Sequence, residues 1–438
     1  MTNSPSSSSS SHKDRVHDPS KRTAILVTYP DQFVIDEAVG LAEAADYEVL
    51  DIMTRRYLSR SRYGLGPGQA EKLKMLVEES GAELVVYDEK LHTSQVYNLA
   101  GMVGREIVDR ERLILEIFSR RATTAEAKLQ VKLAELIYEM PRAKEKVRLA
   151  KIGEQPGFFG LGKYEVDVYY QAIKRQMTTV KQKLQDASRQ RELYRAQRRK
   201  LDMPIVSLAG YTGVGKTTLF NKLTGESKEI SPHLFTTLTT STRSLNLDGF
   251  KILFSDTVGF ISRLPTYMIE AFKSTLEELT YANLILLVVD ASQPLDDLNR
   301  RYQSCIEILT ELKVSPAKVL LLFNKADLLD ESQLNLQILA LGATPEGSVA
   351  ISAKTGLGIE GLLRKIRDTL FEPVETQIYL EPSDAAHLSA QISWLKTQGE
   401  VSINKGEDGR LTIKVKSNSW TIERFIKSVE EAKAKPHG

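Results

Sequence analysis

The chain of 438 residues holds a single cysteine, Cys305. A lone thiol excludes an intramolecular disulfide and a zinc cluster built from cysteines. There is no run of 18 apolar residues and no apolar leader with a cleavage-type site, so neither a membrane span nor a secretory signal is expected. Together these absences predict a reduced, cytoplasmic setting. An excess of one charge is missing too: Lys+Arg 59 stand against Asp+Glu 57, a formal net charge of +2. The whole molecule is no polycation, and any contact with nucleic acid has to come from a local concentration of charge. Aromatic residues are sparse at 7%, while the 42% hydrophobic content is enough for buried cores.

Residues 1–20 carry a serine run from Ser6 to Ser11, mixed charge and Pro19, a composition that predicts a disordered tail. From 21 to 105 apolar runs alternate with helical periodicity. Ala24–Val27, Val49–Met53 and Glu83–Tyr87 read as strands, and Phe33–Ala42 and Glu71–Ser80 as helices, which predicts a small parallel α/β subdomain. The loop Gly64–Gly68 reads as a glycine turn, with a phosphate-holding loop as the alternative. From 106 to 200 long helices take over. After the glycine-rich segment Gly157–Gly162, apolar residues recur at Val166, Tyr170, Ile173, Met177, Val180, Leu184 and Ala187. Those steps of three and four make one seam, and a helical hairpin folded back on the preceding helix would cover it. Its far end, Ser188–Lys200, holds Arg189, Arg191, Arg195, Arg198, Arg199 and Lys200 against Glu192 alone. That run is either a solvated helix face or a phosphate-backbone contact. Residues 373–438 read as a strand at Gln377–Leu380, a helix at Ala385–Lys396, a hairpin of Val401–Asn404 with Leu411–Val415, and a last helix from Ser419 through Val429. This is a small α+β domain.

The remaining segment, 201–372, carries the chemistry. Pro204–Ala209 is an apolar strand followed by Gly210, Tyr211, Thr212, Gly213, Val214, Gly215, Lys216, Thr217 and Thr218, which fit G-x-x-x-x-G-K-[S/T] ahead of a helix. Strand, glycine loop and helix N-terminus form a P-loop, because phosphate needs converging backbone N–H groups with no bulky side chain in the way. Lys216 reaches β- and γ-phosphates in such a loop, and the Thr217 hydroxyl ligates Mg²⁺. Downstream, Phe235, Thr236, Thr237, Leu238 and Thr239 lie in a polar loop where Thr237 is placed to sense Mg²⁺ and γ-phosphate. The strand Lys251–Ser255 runs into Asp256, Thr257, Val258 and Gly259, giving a carboxylate for Mg²⁺ and a Gly259 N–H for the γ-phosphate. Leu284–Asp290 and Val319–Phe323 are apolar runs of the kind buried on both faces of a parallel sheet. The second runs into Asn324, Lys325, Ala326 and Asp327. A carboxylate there accepts hydrogen bonds from guanine N1–H and the 2-amino group, which adenine does not offer, and the lysine stem packs along the base. Val349–Ile351 leads to Ser352, Ala353 and Lys354, whose backbone meets guanine O6. A lone N-K-x-D arises by chance in roughly one chain in twenty; five such segments in order do not.

With these residues in place, 204 to about 372 resemble the translation-factor-related GTPases. The resemblance implies hydrolysis of GTP to GDP and phosphate with Mg²⁺, with Lys216, Thr237 and Gly259 acting on the γ-phosphate. One more residue is missing: where Ras-like enzymes place a water-orienting glutamine, this chain has Phe260. The resemblance is to hydrophobic-substituted GTPases, whose hydrolysis depends on groups delivered otherwise. Val108–Arg110, Ile114–Ala122, Glu126–Val131 and Tyr138–Arg142, with Phe235–Leu238, are similar to the signature of HflX GTPases over residues 23 to about 372. Many members carry G-P-G-E before the second long helix; here Gly160–Glu165 stands instead. The family resemblance implies the large ribosomal subunit and its rRNA as partners, with splitting or rescue of ribosomes in some members, and a monomer is expected. Two other readings remain open on the residues themselves. One is a low-turnover, nucleotide-gated scaffold; the other is an RNA-remodelling NTPase with a second, ATP site at Gly64–Gly68.

Overall fold

A computed structural model describes residues 20–58, 62–152, 161–200, 203–227, 234–235, 241–247, 250–344, 347–371, 373–380, 388–405 and 411–433. The serine-rich tail, most of the glycine-rich segment before the second long helix, and Thr236–Thr239 lie outside the described residues. The chain divides into two compact units, Met1–Leu184 with His233–Phe235, and Gln185–Pro232 with Thr236–Gly438.

The first unit opens with β1 (Arg22–Thr28), α1 (Gln32–Ala44), β2 (Tyr47–Thr54), α2 (Pro67–Ser80), β3 (Leu84–Tyr87), α3 (Thr93–Val103), β4 (Glu106–Asp109) and α4 (Arg110–Arg121). The strands pair in parallel in the order β2-β1-β3-β4. α3 and β4 were not expected. β4 carries the sheet beyond residue 105, into the stretch read as the start of the long helices; a four-residue strand that runs straight into a helix gives no alternation to read. One face of the sheet is packed by Ile25, Val27, Leu73, Val77, Val85, Leu99 and Val103.

The C-terminal ends of these strands are filled by paired charges. Arg110 is buried between Glu37 and Asp88, with Nη1 2.5 Å from Asp88 Oδ1. The Thr28 hydroxyl donates to the same Asp88 carboxylate at 2.7 Å. Asp109 caps α4 through Arg112 N–H at 2.9 Å and also accepts from Tyr138 Oη at 3.0 Å and Arg142 Nη2 at 2.6 Å. Charges taken out of water in this way persist because each meets an opposite partner. Gly64 (φ 76°) is tied to packing: a Cβ there would stand 2.7 Å from Tyr87 Oη and 2.8 Å from Leu91 Cδ2. Gly66 precedes Pro67 at the first turn of α2, an ordinary helix start. The loop Gly64–Gly68 thus has the geometry of a glycine turn.

α5 (Ala125–Ile152) and α6 (Leu161–Lys200) form the hairpin. Ile173, Met177, Val180 and Leu184 pack on Leu129, Leu133, Leu136, Ile137, Met140 and Ala143, so the middle of the expected seam faces α5, while Tyr170 and Ala187 are half-buried outside that cluster. The backbone of α6 is helical through Lys200. Arg189 is exposed and stands 3.7 Å from Asp186, whereas the side chains of Val166 and of 191–200 lie outside the described residues.

The second unit holds β5 (Ile205–Gly210), α7 (Lys216–Thr224), β6 (Ser241–Leu247), β7 (Phe250–Asp256), α8 (Thr266–Ala271), α9 (Lys273–Tyr281), β8 (Leu284–Asp290), α10 (Leu295–Glu311), β9 (Val319–Asn324), α11 (Glu331–Ala340), β10 (Ser348–Ala350) and α12 (Ile359–Phe371). The sheet order is β10-β9-β8-β5-β7-β6, parallel except for the β6–β7 pair. From β5 the chain leaves toward β7 on one side, and from β8 toward β9 on the other. The crevice where ligands bind in such sheets therefore opens at the C-terminal ends of β5 and β8. After them come β11 (Pro373–Leu380), α13 (Ser389–Gln398), β12 (Glu400–Lys405), β13 (Leu411–Asn418) and α14 (Ser419–Lys433). The antiparallel order β11-β13-β12 buries Leu380, Leu395, Ile413, Val415, Ile422 and Phe425. This is the expected α+β region; the predicted start of its first helix at Ala385 lies outside the described residues. Among the described residues no helix is long and apolar enough to cross a membrane.

Candidate nucleotide site

β5 ends at Gly210 with φ 142°, where a Cβ would come within 2.3 Å of the Val288 carbonyl oxygen of β8. Only glycine lets the loop leave the sheet at that point. Gly215 (φ 95°) is equally constrained, because a Cβ would stand 2.4 Å from Asn324 Nδ2. Lys216 opens α7, and its amine donates to the carbonyl oxygens of Gly210 (2.9 Å) and Tyr211 (2.8 Å). It is buried, and burial pulls it down to about 8 against the opposing pull of the Asp256 carboxylate.

That shift has a sign. Phosphates facing the amine favour its charged form, while above pH 8 the ligand-free amine has lost its proton, so binding must take one up. Nucleotide affinity is expected to fall as pH rises through about 8, by up to about tenfold per pH unit. Calorimetric GDP titrations near pH 8.5, in two buffers of different ionisation enthalpy, will read that uptake directly. Equal heats would contradict it.

Thr217 Oγ1 donates to Asp256 Oδ2 at 3.2 Å, which brings together two of the three predicted Mg²⁺ ligands. Asp256 is fully buried at the end of β7. A hydroxyl beside a carboxylate is the oxygen donor set that Mg²⁺ takes, with its remaining positions left to water and phosphate. Among the described residues no cluster of three or more His, Cys, Asp or Glu forms a cage. The Thr217 hydroxyl and Asp256 carboxylate fit a Mg²⁺ that nucleotide phosphates would also ligate. Thr257 Oγ1 donates to Leu208 O at 2.6 Å, and Val258 is buried. Gly259 is pressed on the P-loop, where a Cβ would stand 3.0 Å from Thr212 Cα and 3.2 Å from Lys216 Nζ. Phe260 is buried; its backbone N–H donates to Gly210 O (3.1 Å) and its carbonyl accepts from Thr212 N–H (2.8 Å). Phe260 thus joins the P-loop through its main chain.

On the base side, Asn324 Nδ2 donates to Val214 O at 2.7 Å and Asn324 Oδ1 accepts from Ala353 N–H at 2.9 Å. One amide joins the P-loop to the Ser352–Lys354 loop. Lys325 adopts φ 65°, and its amine stands 2.7 Å from Asp290 Oδ2. Ala326 N–H donates to Ile351 O at 3.0 Å, while Asp327 and Lys354 are exposed and Ser352 is buried. Thr218 is half-buried on α7 and Gly213 is exposed in the loop.

Phe235 departs from expectation. Its ring is buried edge-on to Phe118, 4.8 Å between centroids, inside the first unit. The side chain is core rather than nucleotide contact. Thr236, Thr237, Leu238 and Thr239 lie outside the described residues. One contributor, and the role of a second residue already named in the P-loop, were not foreseen. Asp290 anchors Lys325, and its signal was a lone carboxylate closing the apolar strand β8. The Tyr211 phenol, which accepts from Ser262 N–H at 2.8 Å, had no signal within the motif.

Comparison with known proteins gives the family. Family models match for a GTP-binding GTPase N-terminal region over residues 33–119, a GTP-binding GTPase middle region over 121–198 and a 50S ribosome-binding GTPase over 205–325. The chain is 39% identical over 397 residues to GTPase HflX of Methanocaldococcus jannaschii, covering 91% of this chain and 96% of that one. It is 34% identical over 409 residues to GTPase HflX of Caldanaerobacter subterraneus, covering 92% and 91%. A solved GTP-binding protein from Sulfolobus solfataricus, in complex with GDP, is 27% identical over 79% of this chain and 98% of that chain, with a TM-score of 0.45. With the P-loop, D-T-V-G and N-K-A-D segments gathered at the C-terminal ends of the strands, and with relatives matched over almost their whole length, the chain belongs to the HflX family of GTPases.

Proposed function

We propose that this GTPase works at the large ribosomal subunit, as a cytoplasmic monomer, and that the residues above carry its hydrolysis. The observation behind the reading is the convergence of the P-loop, Asp256–Gly259 and Asn324–Asp327 at the C-terminal ends of β5, β7 and β9. Lys216 neutralises charge on the β- and γ-phosphates. Gly259 offers its N–H to the γ-phosphate, Asp327 and the Ser352–Lys354 backbone read guanine, and Thr237 completes the γ-phosphate shell. Thr217, Thr237 and Asp256 would hold Mg²⁺, whose chemistry is to offset phosphate charge. Phe260 offers no side-chain group to water, so free protein turns over slowly. We divide the chain into 21–105, with β4 added to its sheet, then 106–200, 201–372 and 373–438. The first two carry the subunit contact and the third carries chemistry. Splitting or rescue of ribosomes is the step that such a contact serves.

The family description of residues 205–325 as a 50S ribosome-binding GTPase supports the partner, and the basic run at 188–200 supports an rRNA contact dependent on counterion release. Single-turnover hydrolysis with separated subunits is expected to accelerate about tenfold or more with large subunits only, and co-sedimentation should weaken steeply with salt. Replacing Arg195, Arg198 and Arg199 with alanine lowers subunit affinity and the salt slope and leaves GTP affinity alone. No acceleration by large subunits at low salt overturns the reading.

A further inference from the structure

The P-loop pattern leaves four positions unspecified, and the first of them here is a buried tyrosine. Tyr211 is 3% exposed, although a loop that cradles phosphate needs no large side chain. The ring lies under Arg301 of α10, whose guanidinium is 5.2 Å from the ring centroid. Phenylalanine would fill that space equally well. A phenol oxygen taken out of water is costly unless bonded, and the Tyr211 oxygen accepts from Ser262 N–H at 2.8 Å.

That bond lies two residues beyond a main-chain link between the same segments. Thr212 N–H donates to Phe260 O and Phe260 N–H to Gly210 O, forming a single parallel bridge at Tyr211 and Phe260. The phenol extends the bridge through a side chain. Immediately after Ser262 the chain turns at Arg263, which holds φ 50°, a conformation a non-glycine residue adopts only when its surroundings impose it. On the other side of the bridge, Gly259 is pressed against Thr212 and Lys216. The Asp256–Ser262 segment is thereby fixed to the P-loop from Gly259 to Ser262.

We propose that the Tyr211 hydroxyl is a positioning group for GTP hydrolysis. By holding Ser262 it keeps the segment closed on the P-loop, so that the Gly259 N–H is fixed where γ-phosphate charge develops. The proposal rests on the nucleotide site assigned above. Pre-set donors accelerate a reaction because they need no reorganisation when charge appears. GDP has no γ-phosphate for Gly259 to meet, so its binding does not depend on the clamp.

Tyr211→Phe keeps the ring and its place under Arg301 and removes only the hydroxyl. In single-turnover hydrolysis its rate is expected to fall about tenfold. Affinity for a non-hydrolysable GTP analogue falls several-fold, while GDP affinity stays within twofold of the unaltered protein. Tyr211→Ala, which also removes the ring, should lose at least as much hydrolysis. If Tyr211→Phe matches the unaltered protein and Tyr211→Ala does not, the ring matters and the hydroxyl does not, which overturns the proposal. Equal loss of GDP and GTP-analogue affinity in Tyr211→Phe also overturns it, since the hydroxyl then serves only the fold of the loop. Failure of the underlying site assignment is separate: it would appear as undiminished hydrolysis in Lys216→Ala.

Discussion

Replacing Lys216 with alanine is expected to slow GTP hydrolysis by about 10²–10³-fold, the usual consequence of removing a fixed positive group from the transferring phosphate. The amine is already in place, held over the loop by the Gly210 and Tyr211 carbonyls. Replacing Thr217 with alanine should disable the site by another route. Its hydroxyl stands 3.2 Å from Asp256, and its loss takes one oxygen from the Mg²⁺ donor set while the positive charge on the phosphates remains. The two defects therefore part in a Mg²⁺ titration: raising Mg²⁺ recovers part of the Thr217→Ala activity and none of the Lys216→Ala activity. Indistinguishable Mg²⁺ dependence in the two variants would remove both role assignments.

The second unit was legible in the sequence because its chemistry is local. A P-loop, a carboxylate closing a strand and N-K-x-D each occupy a few adjacent residues, and apolar runs such as Leu284–Asp290 mark strands buried on both faces. The hairpin was legible through its period, since Ile173, Met177, Val180 and Leu184 share one face of α6. β4 escaped because four residues between two helices carry no alternation. Phe235 misled for a different reason. It lies in a loop spelled like a nucleotide contact, yet its ring is spent on Phe118, more than a hundred positions away in the chain. The Tyr211–Ser262 bond spans 51 residues, and a pattern that leaves its intervening positions unspecified does not predict what one of them touches. Short-range chemistry was written in the order of residues; long-range pairing was not.

Replacing Asp327 with asparagine is expected to cost roughly 2 to 4 kcal/mol of GTP affinity, about 30- to 1000-fold, because an amide offers one acceptor where guanine presents two donors. The loss should be large because the backbone around the carboxylate is set in advance. Ala326 N–H is bonded to Ile351 O at 3.0 Å, and the Lys325 amine is held by Asp290 at 2.7 Å. A backbone held in advance loses little entropy on binding, so more of each hydrogen bond appears as affinity. Removing one oxygen leaves a guanine donor unmet, and the rigid surroundings cannot move to compensate. The same rigidity predicts the rescue. Xanthine carries a 2-oxo group in place of the 2-amino group, and the asparagine amide N–H donates to it from the position the lost acceptor occupied. Asp327→Asn should therefore bind xanthosine triphosphate better than GTP, reversing the preference of the unaltered protein. GTP affinity within threefold of the unaltered protein, or no gain with xanthosine triphosphate, would mean that Asp327 does not read the base.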